Sequence, residues 1–241
     1  MKKLLLGLLL VSSVLSFGAT QRVNIEKLVT NESRDTLYLE ETKKPYSGEV
    51  ERKYPDGKLL GIATVKDGKF NGKSYEYYEN GKLKIEENYV NGKSEGVSKY
   101  FYPNGKVEFE VQFKNNKKEG VAKFYSENGI LMSEIPFKND VVIGVAKVYN
   151  AQTGKLEYEE NLVNGKRNGL SKKYYPSGKV LNEVNFKDDK EEGIMRVYYE
   201  TGKLQGEIPY KNGEVDGVVK AYDENGKLIE QAIYKNGEEV K

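Results

Sequence analysis

A unit of about 24 residues recurs eight times along the chain, and this recurrence constrains the fold more than any other feature. A glycine opens each unit, at Gly48, Gly72, Gly96, Gly120, Gly144, Gly169, Gly193 and Gly217. The spacing is 24 residues throughout, apart from one step of 25 between Gly144 and Gly169. A fixed period of this size marks an array of supersecondary units, each burying its apolar side chains against its neighbours. Positions 1 to 24 are counted from the opening glycine, and units one to eight follow chain order.

Two turns punctuate each unit. Position 10 is glycine in all eight copies (Gly57, Gly81, Gly105, Gly129, Gly154, Gly178, Gly202, Gly226), and the residue before it is Asp, Asn, Ser or Thr. Pro55, Pro103 and Pro176 occupy position 8. Proline, a small polar residue and then glycine describe a type I turn closed by a left-handed residue, the three-residue hairpin loop. Position 21 admits only Gly, Asn or Asp, from Gly68 and Gly92 through Asn116, Asp140, Gly165, Asp189 and Gly213 to Gly237. These residues tolerate positive φ and mark a second turn. The expected fold is all-β: an elongated single-layer antiparallel β-meander, or solenoid, of hairpin repeats.

Alternation assigns the faces. Position 12 is aliphatic in every unit, from Leu59 to Leu228, and position 18 is apolar in every unit, from Val65 to Tyr234. Position 6 is aromatic in seven, and position 2 is Val, Leu or Ile in the last six. All are even, so unbroken alternation predicts that they share one face. A loop over positions 8–10 sets position 6 opposite position 12, a favourable aromatic–aliphatic pair. The same parity predicts an odd inter-unit loop, over positions 20–22. Position 4 is basic in six units (Lys99, Lys123, Lys147, Lys172, Arg196, Lys220), and position 15 is glutamate in six, from Glu86 to Glu207. Unbroken alternation puts lysines on one face and glutamates on the other. One reading is two solvated faces that discourage wrong edge pairing. The sharper one is a basic-aromatic stripe, those six cations with Tyr125, Tyr149, Tyr174 and Tyr198, that docks an anionic or carbohydrate-like partner.

The chain divides into three parts. Residues 1–19 read as a signal peptide: Lys2-Lys3, an apolar run from Leu4 to Leu15, then the small residues of a cleavage site around Gly18-Ala19. That run falls short of the ~20 apolar residues of a transmembrane helix. The expected destination is the periplasm, the outer-membrane surface or the exterior. Residues 20–47 read as an N-terminal cap, a divergent half-repeat covering the first edge. Residues 48–241 hold the eight units. The chain has 39 Lys+Arg and 37 Asp+Glu. Loss of Lys2 and Lys3 with the leader brings the formal charge to zero, which argues against a nucleic-acid partner.

The residues offer little to catalysis. The chain has no His and no Cys, which excludes a Ser-His-Asp triad, thiol chemistry and His- or Cys-ligated metal. Gly68-Lys69-Phe70-Asn71-Gly72-Lys73-Ser74 imitates a phosphate loop, but its spacing is one residue short and no helix follows. Glu86-Glu87 and Glu159-Glu160 are adjacent in strands and point to opposite faces. Asp188-Asp189 lies in a turn without a calcium-loop pattern. No cofactor, no metal and no enzyme are expected.

The segment Tyr89-Val90-Asn91-Gly92-Lys93-Ser94-Glu95-Gly96, followed by Tyr100-Phe101-Tyr102-Pro103-Asn104-Gly105-Lys106, resembles the variant MORN repeat. The phrase returns from Tyr210 through Gly217 to Gly226, and the likeness covers roughly residues 36–241. Chains of this kind are often labelled YwqK-type antitoxin components. The resemblance implies a single-layer antiparallel sheet of hairpins used for protein or lipid contact. This chain departs from the standard MORN pattern in lacking Trp. The leading functional expectation is an exported, non-enzymatic scaffold for protein–protein interaction. The alternatives are a carbohydrate- or lipid-headgroup-binding module and a toxin-neutralising component. An uncovered apolar face must curl, self-associate or meet a partner.

Overall fold

A computed structural model of the chain describes residues 22–33 and 35–240. The expected leader, 1–19, lies outside these residues. Each unit forms a β-hairpin, and the hairpins lie side by side in chain order in one sheet of 21 strands that does not close on itself. The result is the single-layer meander that the repeat predicts.

Around the first turn the position-7 N–H donates to the position-11 carbonyl and the position-7 carbonyl accepts from the position-10 glycine, as in Tyr102 N–H to Lys106 and Gly105 N–H to Tyr102, both at 2.8 Å. Position 10 glycines such as Gly105 (φ 93°) take the left-handed conformation. The three-residue loop and the pairing of position 6 with position 12 are as expected, for example Phe101 with Val107 and Tyr174 with Val180.

The assignment of faces requires correction. In all eight hairpins the register slips between position 12 and position 14, leaving position 13 as a β-bulge. One extra residue inverts the alternation beyond it. Position 18 therefore lies on the opposite face from positions 2, 4, 6 and 12, and position 15 lies on the same face as position 4. The inter-unit loop is also shorter than parity predicts. It has two residues, positions 20 and 21, both with positive φ, as at Asn115 (52°) and Asn116 (68°) or Asp188 (49°) and Asp189 (69°). Lys114 pairs with Lys117 across one such turn. Two left-handed residues in succession make a type I′ turn, whose twist matches that of the flanking strands. A second irregularity sits at the opening glycine. Asn71, Gly72 and Lys73 together face Thr64, between the pairs Ala63–Ser74 and Val65–Phe70. Gly72 has φ 119°, and a Cβ there would meet Thr64 at 3.3 Å.

These two irregularities create one buried face and one open face. Positions 3, 16 and 18 supply the buried side chains of the units, among them Val50, Ser98 and Ala122 at position 3, Ala63, Val111 and Val184 at position 16, and Val65 and Phe186 at position 18. Positions 2, 4, 6, 12, 15, 17, 19, 22 and 24 form the open face.

The first edge is covered. Strand β1 (Arg22–Asn24) precedes a short 3-10 turn, and β2 (Leu28–Thr30) pairs antiparallel with β3 (Leu37–Leu39). β1 runs parallel to β4 (Gly48–Lys53), the first strand of unit one, with Arg22 and Glu49 bridged at 2.7 Å. Val23, Leu28, Leu37, Leu39 and Phe70 pack on the buried cluster of Tyr46, Val50, Ala63 and Val65. Two backbone bonds fasten the cap, Leu37 N–H to the Gly68 carbonyl and Gly68 N–H to the Tyr46 carbonyl, both 2.7 Å.

Candidate functional site

The bulge at position 13 changes the meaning of the charged rows. Lysines at position 4 and glutamates at position 15 do not stripe opposite faces: they face each other across every strand pair of the middle and late units. Glu86, Lys99, Glu110, Lys123, Glu134, Lys147, Glu159, Lys172, Glu183, Arg196, Glu207 and Lys220 follow one another across the open face, each directly opposite the next. Ion pairs form at 4.0 Å for Lys123–Glu134, 3.5 Å for Lys147–Glu159, 3.8 Å for Lys172–Glu183 and 3.7 Å for Arg196–Glu207.

The aromatic members of the expected stripe join the same row. From unit four onward each position-6 tyrosine hydroxyl donates to the position-15 glutamate of the preceding unit, among them Tyr125 to Glu110 at 3.2 Å, Tyr149 to Glu134 at 2.9 Å, Tyr174 to Glu159 at 2.6 Å and Tyr198 to Glu183 at 2.8 Å. Desolvation first, and the hydrogen bond to glutamate second, push the Tyr149 and Tyr174 hydroxyls up to about 12. Tyr125 and Tyr198 move in the same direction, mainly by desolvation. A further row lies at the hairpin loops, where position-7 tyrosines donate to the position-6 carbonyl of the next unit. Tyr102 reaches Tyr125 at 2.7 Å, and Tyr175 reaches Tyr198 at 2.8 Å. The ten residues of the expected stripe thus lie together, but their charges and hydroxyls are largely turned toward one another across the unit junctions.

The open face carries a different feature at the opposite, inter-unit turn margin. Seven other units show what the fold needs at each position. Position 22 is Lys or Glu in every unit except unit four, where it is Val141. Position 24 of that unit is Ile143, where the others carry Asn, Glu or Asp, or Val240 in unit eight. Position 19 is Lys in six units and valine in two, Val90 in unit two and Val163 in unit five, and only Val163 has apolar residues at positions 22 and 24 of the unit before it. With Val145 at position 2, these residues make an aliphatic patch spanning units four and five. They are 42% (Val141), 40% (Ile143), 43% (Val145) and 43% (Val163) exposed, so packing does not account for them.

Ile143 also gives up a capping bond. Elsewhere the position-24 side chain accepts from the backbone N–H that opens the next two-residue turn: Glu95 from Asn115 at 2.9 Å, Glu119 from Asn139 at 3.1 Å and Glu192 from Asn212 at 2.9 Å. A hydrocarbon at Ile143 cannot accept from Asn164. The loop tyrosine is missing here too, since position 7 is Ser126 in unit four and Asn150 in unit five, beside the single inserted residue.

Cations rim the patch. In strand order, the open-face side chains at the turn margin read Lys114, Lys117, Lys138, Val141, Val163, Lys166, Lys187 and Lys190. All six lysines are exposed, and none lies within ion-pair distance of a carboxylate among the described residues. Lys114 directly faces Lys117, and Lys187 directly faces Lys190; such like-charge pairs are unfavourable across a sheet. Carboxylates of the same turns are held against backbone amides, Asp140 by the N–H of Lys118 and Asp189 by the N–H of Arg167, both at 2.8 Å.

Position-by-position comparison of the eight units contains this patch, but attention to residues that recur hides residues that break the recurrence. Among the described residues, no group of three or more acidic side chains is placed to hold a metal ion.

The family model described as MORN repeat variant matches seven segments, residues 46–67, 70–91, 94–115, 118–139, 167–188, 191–212 and 215–236, which together exceed half of the chain. Residues 140–166 fall between the fourth and fifth of these segments and contain Val141, Ile143, Val145 and Val163. No curated protein matches the chain.

Proposed function

The chain belongs to the MORN repeat variant family, whose repeats are in general protein- and membrane-binding modules, and on that footing we propose that it is an exported, non-catalytic scaffold that holds a protein partner at the cell envelope or surface. One observation carries the reading. The stretch that falls between matched family segments, residues 140–166, is also the one where exposed Val141, Ile143 and Val163 stand at positions that are polar in most other units, with Lys138 and Lys166 beside them. Exposed aliphatics ringed by polar side chains are the ordinary make-up of a protein interface, with a dry centre and a wet rim.

The charged row supports the scaffold more than it supports a ligand. Lys99, Lys123, Lys147, Lys172, Arg196 and Lys220 face glutamates on one or both sides, so an anion or glycan would have to compete with them.

The test is affinity capture from the envelope fraction with the full chain and with Val141→Thr/Ile143→Asn/Val163→Thr, which restores polarity without adding charge. A protein retained by the parent and lost from the variant bears the proposal out. Identical capture profiles from the two chains refute it.

A further inference from the structure

The scaffold reading leaves the chemistry of the partner open, and the turn margin of units three to six narrows it. Resting on that reading, we infer that the patch docks a partner segment in which adjacent aliphatic side chains are bracketed by carboxylates. The centre of the site is Val141 and Val163, with Ile143 and Val145 behind them, all close to two-fifths exposed. On either side stand three lysines: Lys114, Lys117 and Lys138 before the valines, Lys166, Lys187 and Lys190 after them.

Two features select a protein segment. The rim cations lack carboxylate partners, whereas all six position-4 cations face glutamates across the strands and four of them (Lys123, Lys147, Lys172, Arg196) are ion-paired, so the sheet largely neutralises one row of positive charge and leaves the other available. Charge complementarity of this kind steers encounter and fixes register more than it adds raw affinity, while the dry centre supplies attachment. A bilayer fits less well. Membrane-surface binding uses Trp, Tyr or Phe anchors and side chains that penetrate ~5–10 Å. At this margin the apolar residues are short and β-branched, Val141, Ile143, Val145 and Val163, with no aromatic among them.

The inference is tested by selecting random seven-residue peptides displayed on phage against the full chain, then measuring synthetic copies of the enriched sequences. The expected sequences carry two neighbouring aliphatics with Asp or Glu on both sides. Their binding should weaken at least tenfold with Val141→Thr/Val163→Thr, and again with Lys138→Gln/Lys166→Gln. Val141 and Val163 are polar in most other units, so these variants keep the fold, which circular dichroism checks. Enriched peptides that are basic or lack acids overturn the inference but leave the scaffold reading standing. So does binding indifferent to both variants. Phosphatidylglycerol vesicles that bind the parent and lose the valine variant replace the protein segment with a membrane. Selection that enriches no peptide removes the inference and the scaffold reading together.

Discussion

The junction between units six and seven and the two outer edges of the sheet use the same repeat positions, yet only the junction carries the rows of tyrosines and paired charges. At the junction the Tyr175 hydroxyl donates to the Tyr198 carbonyl, the Tyr198 hydroxyl donates to Glu183, and Glu183 lies between Lys172 and Arg196. On the outer strands of unit eight, positions 7 and 15 carry Asp223 and Gln231; on the first strand of unit one, positions 4 and 6 carry Glu51 and Lys53. Stacking a last unit on the first unit of another copy would set Gln231 beside Glu51 and provide none of these hydroxyls. β1 already occupies the outer edge of β4. Every strand edge offers the same backbone donors and acceptors, so side-chain rows decide which edges join.

The hardest way to break that contrast is to rewrite the edges. Asp223→Tyr and Gln231→Glu give unit eight a junction's chemistry, and Glu51→Lys with Lys53→Tyr do the same for unit one. Val23→Asp adds a charge where β1 meets the buried cluster and unseats it. The fivefold variant should grow head to tail into species many chains long in sedimentation velocity. Val23→Asp alone should not grow, because its edges still lack the rows. Growth of that single variant would show that β1, and not the side-chain rows, keeps copies apart.

Reversing one charge inside the row has the next largest effect. Glu159 faces Lys147 and Lys172 and accepts from Tyr174 at 2.6 Å. Glu159→Lys places three cations abreast and removes that acceptor, a loss of about 2 kcal/mol when cross-strand repulsion and a charged hydrogen bond are combined. Glu230→Lys on the exposed last hairpin should stay within about 0.5 kcal/mol, as isolated surface changes do. Urea unfolding of both variants measures the difference, and added salt should shrink the first effect. Equal losses would mean that the row is an accident of register.

Much of this organisation is legible in the sequence. Eight glycines and a fixed period declare the hairpin array, and position 10 glycine declares the three-residue loop. The faces are not legible from alternation, because position 13 carries no signature: Leu60, Lys84, Glu108 and Ile229 all occupy it. A bulge set by hairpin twist needs no special residue, yet it moves Glu110 from one face to the other. The two-residue turn, by contrast, was written plainly in Asn91-Gly92, Asn164-Gly165 and Asn212-Gly213; an assumption of unbroken parity conceals it. The unit-four and unit-five patch appears only when Val141, Ile143 and Val163 are set against their counterparts. The expected ligand stripe at positions 4 and 6 is physically adjacent, but adjacency could not show that its members face partners.

The tyrosine row should also give the fold an alkaline limit. The Tyr149 and Tyr174 hydroxyls titrate at about 12 in the folded chain, above the usual ~10 of an unfolded tyrosine. A raised value means that the protonated, donating form is favoured by folding. The stabilisation is therefore complete below pH ~10 and is lost as pH rises toward 12. Comparing urea midpoints of the parent and Tyr149→Phe/Tyr174→Phe between pH 9 and 12 isolates this contribution from lysine titration. The curves should converge as pH rises; curves that stay parallel would detach the hydroxyls from stability.

The smallest effect tests whether the row weakens toward the open end. Tyr222 reaches Glu207 at 3.3 Å, against 2.6 Å for Tyr174 and Glu159. Hydroxyl–oxygen bonds are ordinarily ~2.7–2.8 Å, so the outer bond is long. Tyr174→Phe should cost about 1 kcal/mol and Tyr222→Phe less than about 0.5 kcal/mol. Units of a linear array contact only their neighbours, so the outer loss should also stay local. Hydrogen exchange should quicken in Leu228–Lys235 of the Tyr222 variant while Lys166–Tyr174 keeps its protection. Quickening across all the units would show that the sheet opens as one body, and the contrast between junctions and outer edges would then belong to the whole sheet rather than to its rows.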